Sequence, residues 1–165
     1  MGQLWRDAKP LLGFLAVSFG AAGVGGTLTS RTVMTWYRGL RKSRLNPPSW
    51  IFGPVWTVLY AMIAVSGWLV WRGSTSEGAE GRGRAALSAW GVQLGLNVLW
   101  SGAFFAGRSP GAALGVIAAL WTSIVVCVGL SARISVAAAG VLGPYLAWTT
   151  FASYLNLRVW QLNRR

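Results

Sequence analysis

Apolar residues in this chain come in five long runs: Pro10 to Thr29, Trp50 to Trp71, Ala85 to Ala106, Gly111 to Leu130 and Val136 to Trp160. Short connections holding nearly all the charge part them. Each run has about the 20 residues that a helix needs to cross a hydrocarbon core of about 30 Å. In lipid every backbone polar group must be satisfied within the segment, so an isolated run of this length is read as a helix. The pattern predicts an all-α integral membrane protein, a five-transmembrane-helix bundle in which residues 1–165 form a single domain. Composition agrees: 54% of residues are hydrophobic and 11% charged, against about 25% charged in a soluble domain. The opening MGQLWRDAKPLLGFLAVSFGAAG also has the layout of a cleavable leader, but the apolar stretch continues through Leu28, and we read it as a retained first span.

Fifteen basic residues against three acidic ones give a net charge of +12. Because they sit in the connections, they act first as topology signals. With five spans, Arg6, Lys9, Arg72, Arg82, Arg84 and Arg133 share one side. Arg31, Arg38, Arg41, Lys42, Arg44, Arg108, Arg158, Arg164 and Arg165 share the other. The positive-inside rule puts the second, richer set in the cytoplasm, with the N-terminus outside and the C-terminus cytoplasmic. Anionic membrane lipids are the expected partners of this charge, and nucleic acid is not.

The spans contain no Asp, Glu, Lys or His, and Arg158 near the end of the last is their only charge. Ion- and proton-coupled transport needs a charged or titratable group near the midplane, so that class is excluded. With no His in the chain and Cys127 as its single cysteine, neither a disulfide framework nor a metal site is expected, and no cofactor is required. Asp7, Glu77 and Glu80 all fall on the external side, so the bundle has no acid–base pair.

What the spans do hold is aromatic and polar. Gln93, Asn97, Trp100, Ser101 and Phe104 follow helical spacing on one face of the third span. Trp56 and Tyr60 are one turn apart in the second, and Tyr145, Trp148, Ala152 and Asn156 follow the same logic in the fifth. Trp56 and Trp100 each lie six residues from the cytoplasmic end of their span, about 9 Å below it. These positions permit a cavity floored by Trp148 and walled by Trp56, Tyr60, Asn97 and Trp100. Residues 30–49, with Trp36 and Tyr37, would form a lid-like roof, and Trp50 would sit at its rim. Two alternatives stay open: Trp36 and Trp50 as an interfacial aromatic belt, and Gln93 and Asn97 as interhelical hydrogen-bond glue. Residues 73–83, GSTSEGAEGRG, read as a flexible linker. The small residues of the first span, and Gly91 and Gly95 in GxxxG spacing, predict close helix approach and a homodimer.

Four segments carry a resemblance to a known family: WYRGL, NPPSWIFGPVWTVLY, QLGLNVLWSGAFFAGR (Gln93 to Arg108) and PYLAWTTFASYLNLRVWQLN (Pro144 to Asn163). Together they resemble the translocator protein family, also called tryptophan-rich sensory protein or peripheral-type benzodiazepine receptor (TspO/MBR), in its bacterial form. The resemblance implies a dimeric five-helix bundle binding porphyrins, sterols and synthetic aromatic ligands. It implies pocket positions at Trp50, Trp56, Asn97, Trp100, Ser101, Trp148, Ala152 and Leu155. Some members are reported to promote light-dependent porphyrin breakdown, for which Trp56, Trp100 and Trp148 would be the candidate residues here. The vertebrate sterol-recognition stretch has a Tyr shortly after its LN pair, where this chain has Leu157 after Leu155 and Asn156, so sterol binding of that type is not expected. Arg31, Tyr37 and Leu40 fit only the reversed form of that pattern. The expected function is a membrane receptor or sensor for tetrapyrroles, porphyrin and haem being ligands, with their passage across the membrane as a further role. The alternatives are light- and oxygen-dependent porphyrin degradation and a small facilitator for hydrophobic compounds.

Overall fold

The structure, a computed structural model, describes residues 2–75 and 79–164, and side chains from residue 9 onward. The side chains of Arg6 and Asp7, and the residues Glu77 and Arg165, therefore lie outside what is described. Helix α1 (Gly2–Thr32) runs straight on into a π-helical turn, π1 (Val33–Tyr37). Then come α2 (Ser49–Gly73), α3 (Glu80–Ser101) continued by a second π turn, π2 (Gly102–Ala106), and α4 (Pro110–Ala132). The short α5 (Val136–Val141) and α6 (Gly143–Asn163) complete the chain.

The fifth run is thus two helices. Pro144 has no N–H to give to the carbonyl four residues back, and the helix breaks at Leu142. Ser109 and Ser135 cap α4 and α5, accepting hydrogen bonds from the backbone N–H of Ala112 and Ala138. The lid-like loop expected over 30–49 is shorter than that, because helix continues through π1 to Gly39 and irregular backbone covers only 40–48. Charge marks where hydrocarbon ends, but a helix ends at its breakers, here Gly39 and the Asn46, Pro47, Pro48 run. For the same reason the linker expected from Gly73 shrinks, since α3 already begins at Glu80.

α1 with π1, α2 and α4 are long and apolar enough to cross a membrane. α3 and α6 are of similar length but more polar, and they turn that polarity inward: Gln93, Asn97, Ser101, Thr149 and Asn156 are all buried. At the end of the bundle away from the first loop, packing is tight. A β-carbon on Gly67 would fall 2.8 Å from the rings of Phe14 and Trp90. Trp90 donates to the carbonyl of Ile63 at 2.8 Å, and the Ser66 hydroxyl donates to that of Ala138 at 2.9 Å. At the first-loop end the helices stand further apart, and there a cavity opens.

Candidate functional site

The cavity has a volume of about 540 Å³ and lies among α1, α2, α3 and α6. Among the described residues no charged side chain lines it. Its wall is a run of touching rings. Trp56 meets Tyr60 at 5.7 Å, Trp100 at 6.4 Å and Tyr145 at 6.4 Å, and Trp100 meets Phe104 at 5.7 Å. Such offset and edge contacts suit the ring quadrupoles and hold each face in a fixed direction. The two π turns sit opposite each other at the rim, with Tyr37 of π1 against Phe104 at 6.0 Å and Phe105 at 5.7 Å in π2. A π turn inserts one extra residue into the helical repeat and so re-aims side chains, which is why these turns gather at functional positions.

Two hydrogen-bond ties hold the wall. Tyr60 donates to Asn97 Oδ1 at 2.9 Å, and Asn97 Nδ2 donates to the Tyr145 hydroxyl at 3.0 Å, joining α2, α3 and α6 across the cavity floor. Trp100 Nε1 donates to Asn156 Oδ1 at 3.1 Å, and Asn156 Nδ2 donates to the carbonyl of Pro110 at 2.8 Å, joining α3, α6 and α4. Asn97→Leu would strip Tyr60 and Tyr145 of their partner inside the bundle, at a cost of about 1–3 kcal/mol for each buried group left unpaired. The apo protein's thermal midpoint is expected to fall by at least about 5 °C. An unchanged midpoint with weakened ligand binding would instead make Asn97 a ligand contact and not a structural tie.

Across the first-loop end runs a strap of residues 40–48. Asn163, at the end of α6, grips its backbone from both sides: Arg41 N–H donates to Asn163 Oδ1 at 3.1 Å, and Asn163 Nδ2 donates to the Arg41 carbonyl at 2.9 Å. Tyr37 donates to Asn46 Oδ1 at 2.9 Å, and the Ser43 and Tyr154 hydroxyls are 3.2 Å apart. Lys42 Nζ stands 4.7 Å over the Tyr37 ring, and burial lowers its pKa from the ordinary lysine value.

Of the residues expected at the site, Tyr37, Trp56, Tyr60, Asn97, Trp100, Ser101, Phe104, Ala152 and Leu155 line this cavity. Three do not. Trp36 stands behind the wall, edge-on to Phe104 at 5.9 Å. Trp50 is 73% exposed at the start of α2, the placement of an interfacial belt residue. Trp148, expected as the floor, turns into a separate shallow groove between α2 and α6 with Pro54, Val58, Met62 and Phe151. The rings of Trp56 and Tyr145 already occupy the space proposed for it, and Trp148 instead meets Phe52 edge-on at 5.9 Å. Gln93 is buried and finds no hydrogen-bond partner among the described residues. Sequence reasoning misses Phe19, Ala22, Gly25, Gly26 and Thr29 of α1 and Met34 of π1, as well as Phe52, Phe105 and Asn156, as lining residues. The helical spacing of Asn156 and the small-residue run on α1 are the available signals, but the latter points equally to plain helix packing.

Residues 14–161 match the model of the TspO/MBR family, which is nearly the full length of the chain. The chain belongs to the TspO/MBR family. It is 37% identical to tryptophan-rich protein TspO of Chlorobaculum tepidum, with 90% of each chain covered. It is 36% identical to tryptophan-rich protein TspO of Archaeoglobus fulgidus, covering 93% of this chain and 94% of that one. It is also 36% identical to the translocator protein of Homo sapiens, covering 93% of this chain and 90% of that one. The TspO/MBR match spans every element that builds the cavity, from α1 to α6.

Proposed function

We propose that this TspO/MBR member is a membrane receptor or sensor that binds tetrapyrroles, porphyrin and haem, and other flat apolar ligands in the cavity, and passes them on across or within the membrane. The observation that carries the reading is a charge-free, ring-walled cavity of about 540 Å³ inside a membrane bundle, a size within the range of small-molecule sites. Family membership supports the receptor or sensor role, since members carry the names translocator protein and tryptophan-rich sensory protein. The basic residues of the first-loop end face the cytoplasm and anionic lipid in this reading, with the N-terminus outside. Gly91 and Gly95, with nothing within 4 Å of an added β-carbon, are the face for a second copy.

The test is a titration of the purified protein with protoporphyrin, haem and a sterol, read by tryptophan emission. Saturable quenching by the porphyrins at micromolar affinity or tighter is expected, weakened by Trp56→Ala and not by Trp50→Phe. Quenching that never saturates removes the reading; saturation by the sterol alone replaces its ligand class.

The neighbouring indoles of Trp56 and Trp100 on the wall favour a second reading, light- and oxygen-dependent porphyrin oxidation with an indole as electron donor. Trp148 leaves this candidate set because it faces the outer groove. Under light, bound porphyrin bleaching no faster than on an unrelated porphyrin-binding protein would leave the receptor role alone.

A further inference from the structure

The cavity is buried on its α3 and α6 side and exposed on its α1 and α2 side. The strap clamped by Asn163 lies at the first-loop end of the bundle without lining the cavity, and the Tyr60, Asn97, Tyr145 chain ties the floor. On the α3 and α6 side the lining is buried, with Trp100 9% and Phe104 4% exposed. On the α1 and α2 side the same cavity is lined by exposed residues: Phe19 (40%), Met34 (67%), Gly26, Gly53 and Thr57.

The reason lies in how α1 and α2 pack. Near the far end they touch so closely that a β-carbon on Gly67 would strike Phe14 at 2.8 Å. Toward the first-loop end both helices line the cavity instead, and β-carbons on Gly26 and Gly53 would meet nothing within 4 Å. Helix separation follows the side chains at the contact, and two glycines beside the cavity leave room there that no side chain fills. Around a membrane-spanning helix pair, the medium outside such a space is hydrocarbon.

We infer that the cavity loads sideways from the bilayer, on the leaflet of the first-loop side, through a window between α1 and α2 framed by Phe19, Gly26, Gly53 and Thr57. This rests on the binding reading above and adds its route: the ligand is a planar apolar compound already dissolved in lipid. Selection then begins with partition into the membrane, and the strap serves as a fixed cover.

The experiment uses the full chain in proteoliposomes, with protoporphyrin as the probe and tryptophan quenching followed by stopped flow. Arg41→Cys and Asn163→Cys, joined by a short bis-maleimide, lock the strap shut, and loading should proceed as before cross-linking. Gly53→Phe and Gly26→Phe should each slow association about tenfold or more and slow release in parallel. A blocked window retards both directions, whereas a damaged site speeds release. Adding lipid at fixed protein and porphyrin should slow loading in proportion, which needs no variant at all. Loading that stops on cross-linking, glycine variants that load like wild type, or a rate that follows aqueous porphyrin and ignores lipid would each overturn the window. Absence of saturable quenching in the wild-type protein is a different outcome, which removes the binding reading and the route with it.

Discussion

Gly67→Leu is expected to prevent the bundle from assembling, and Gly67→Ala to weaken it measurably. Gly67 is buried in α2, and an added β-carbon would lie 2.8 Å from Phe14 Cδ1 and from Trp90 Cε2 and Nε1. Neither ring is free to yield. Trp90 is held by its hydrogen bond to the Ile63 carbonyl, and Phe14 stands edge-on against it at 5.1 Å. Forcing extra carbon into such a place costs about 1–3 kcal/mol for a methyl group and more for a branched side chain. For a chain of this length that is a fall of about 2–12 °C in the thermal midpoint of Gly67→Ala. Gly115→Ala on α4 is the matched control, because nothing lies within 4 Å of its added carbon. Equal midpoints for Gly67→Ala, Gly115→Ala and wild type would contradict the packing described for this end of the bundle.

Trp100→Ala is expected to cost both stability and ligand. The indole is buried at the centre of the wall, touching Trp56, Phe104 and Phe105, and its N–H satisfies Asn156. Truncating a buried aromatic to alanine costs about 3–5 kcal/mol. Loss of the ring face removes stacking of about 1 kcal/mol together with buried area, so porphyrin affinity should drop about tenfold or more. Titration well below the variant's own midpoint keeps the two effects apart. Trp100→Phe, which keeps a ring and loses the N–H, should recover most of the affinity while Asn156 stays short of one donor. Trp148→Ala is the informative companion. Normal binding in Trp100→Ala with loss in Trp148→Ala would move the site from the cavity to the groove between α2 and α6.

Much of this is legible in the chain, for reasons that differ by residue. Lipid thickness dictates the length of an apolar run, so five spans can be counted from the spacing of charge alone. The polar face of α3 is legible because Asn97, Trp100, Ser101 and Phe104 share a helical repeat, and all four do line the cavity. Direction within a face is not legible. Trp148 lies on the same side of α6 as Ala152 and Leu155, yet what decides its path is the space already filled by Tyr145 and Trp56, a fact about neighbouring helices. The α1 wall is hidden because glycine and alanine announce closeness equally well to a partner helix and to a ligand. Gly25 is an ordinary contact of Ser101, with its added β-carbon 3.4 Å from the hydroxyl oxygen, while Gly26 next to it faces open space. Charge is a poor guide to where a helix stops: Arg31 and Arg38 both ride on helix.

The inward polarity of α3 and α6 also bears on how the chain enters its membrane. α1, α2 and α4 carry enough hydrocarbon to partition from the translocon into lipid one by one. α3 and α6 must bring Gln93, Asn97, Thr149 and Asn156 with them, and each unpaired amide or hydroxyl resists release into the bilayer. α4 is the ready companion for both, since Asn156 binds the Pro110 carbonyl at its start and lies beside Trp100 of α3. Topogenesis of this chain is therefore cooperative: its least greasy helices become residents of the membrane only as parts of an assembled bundle.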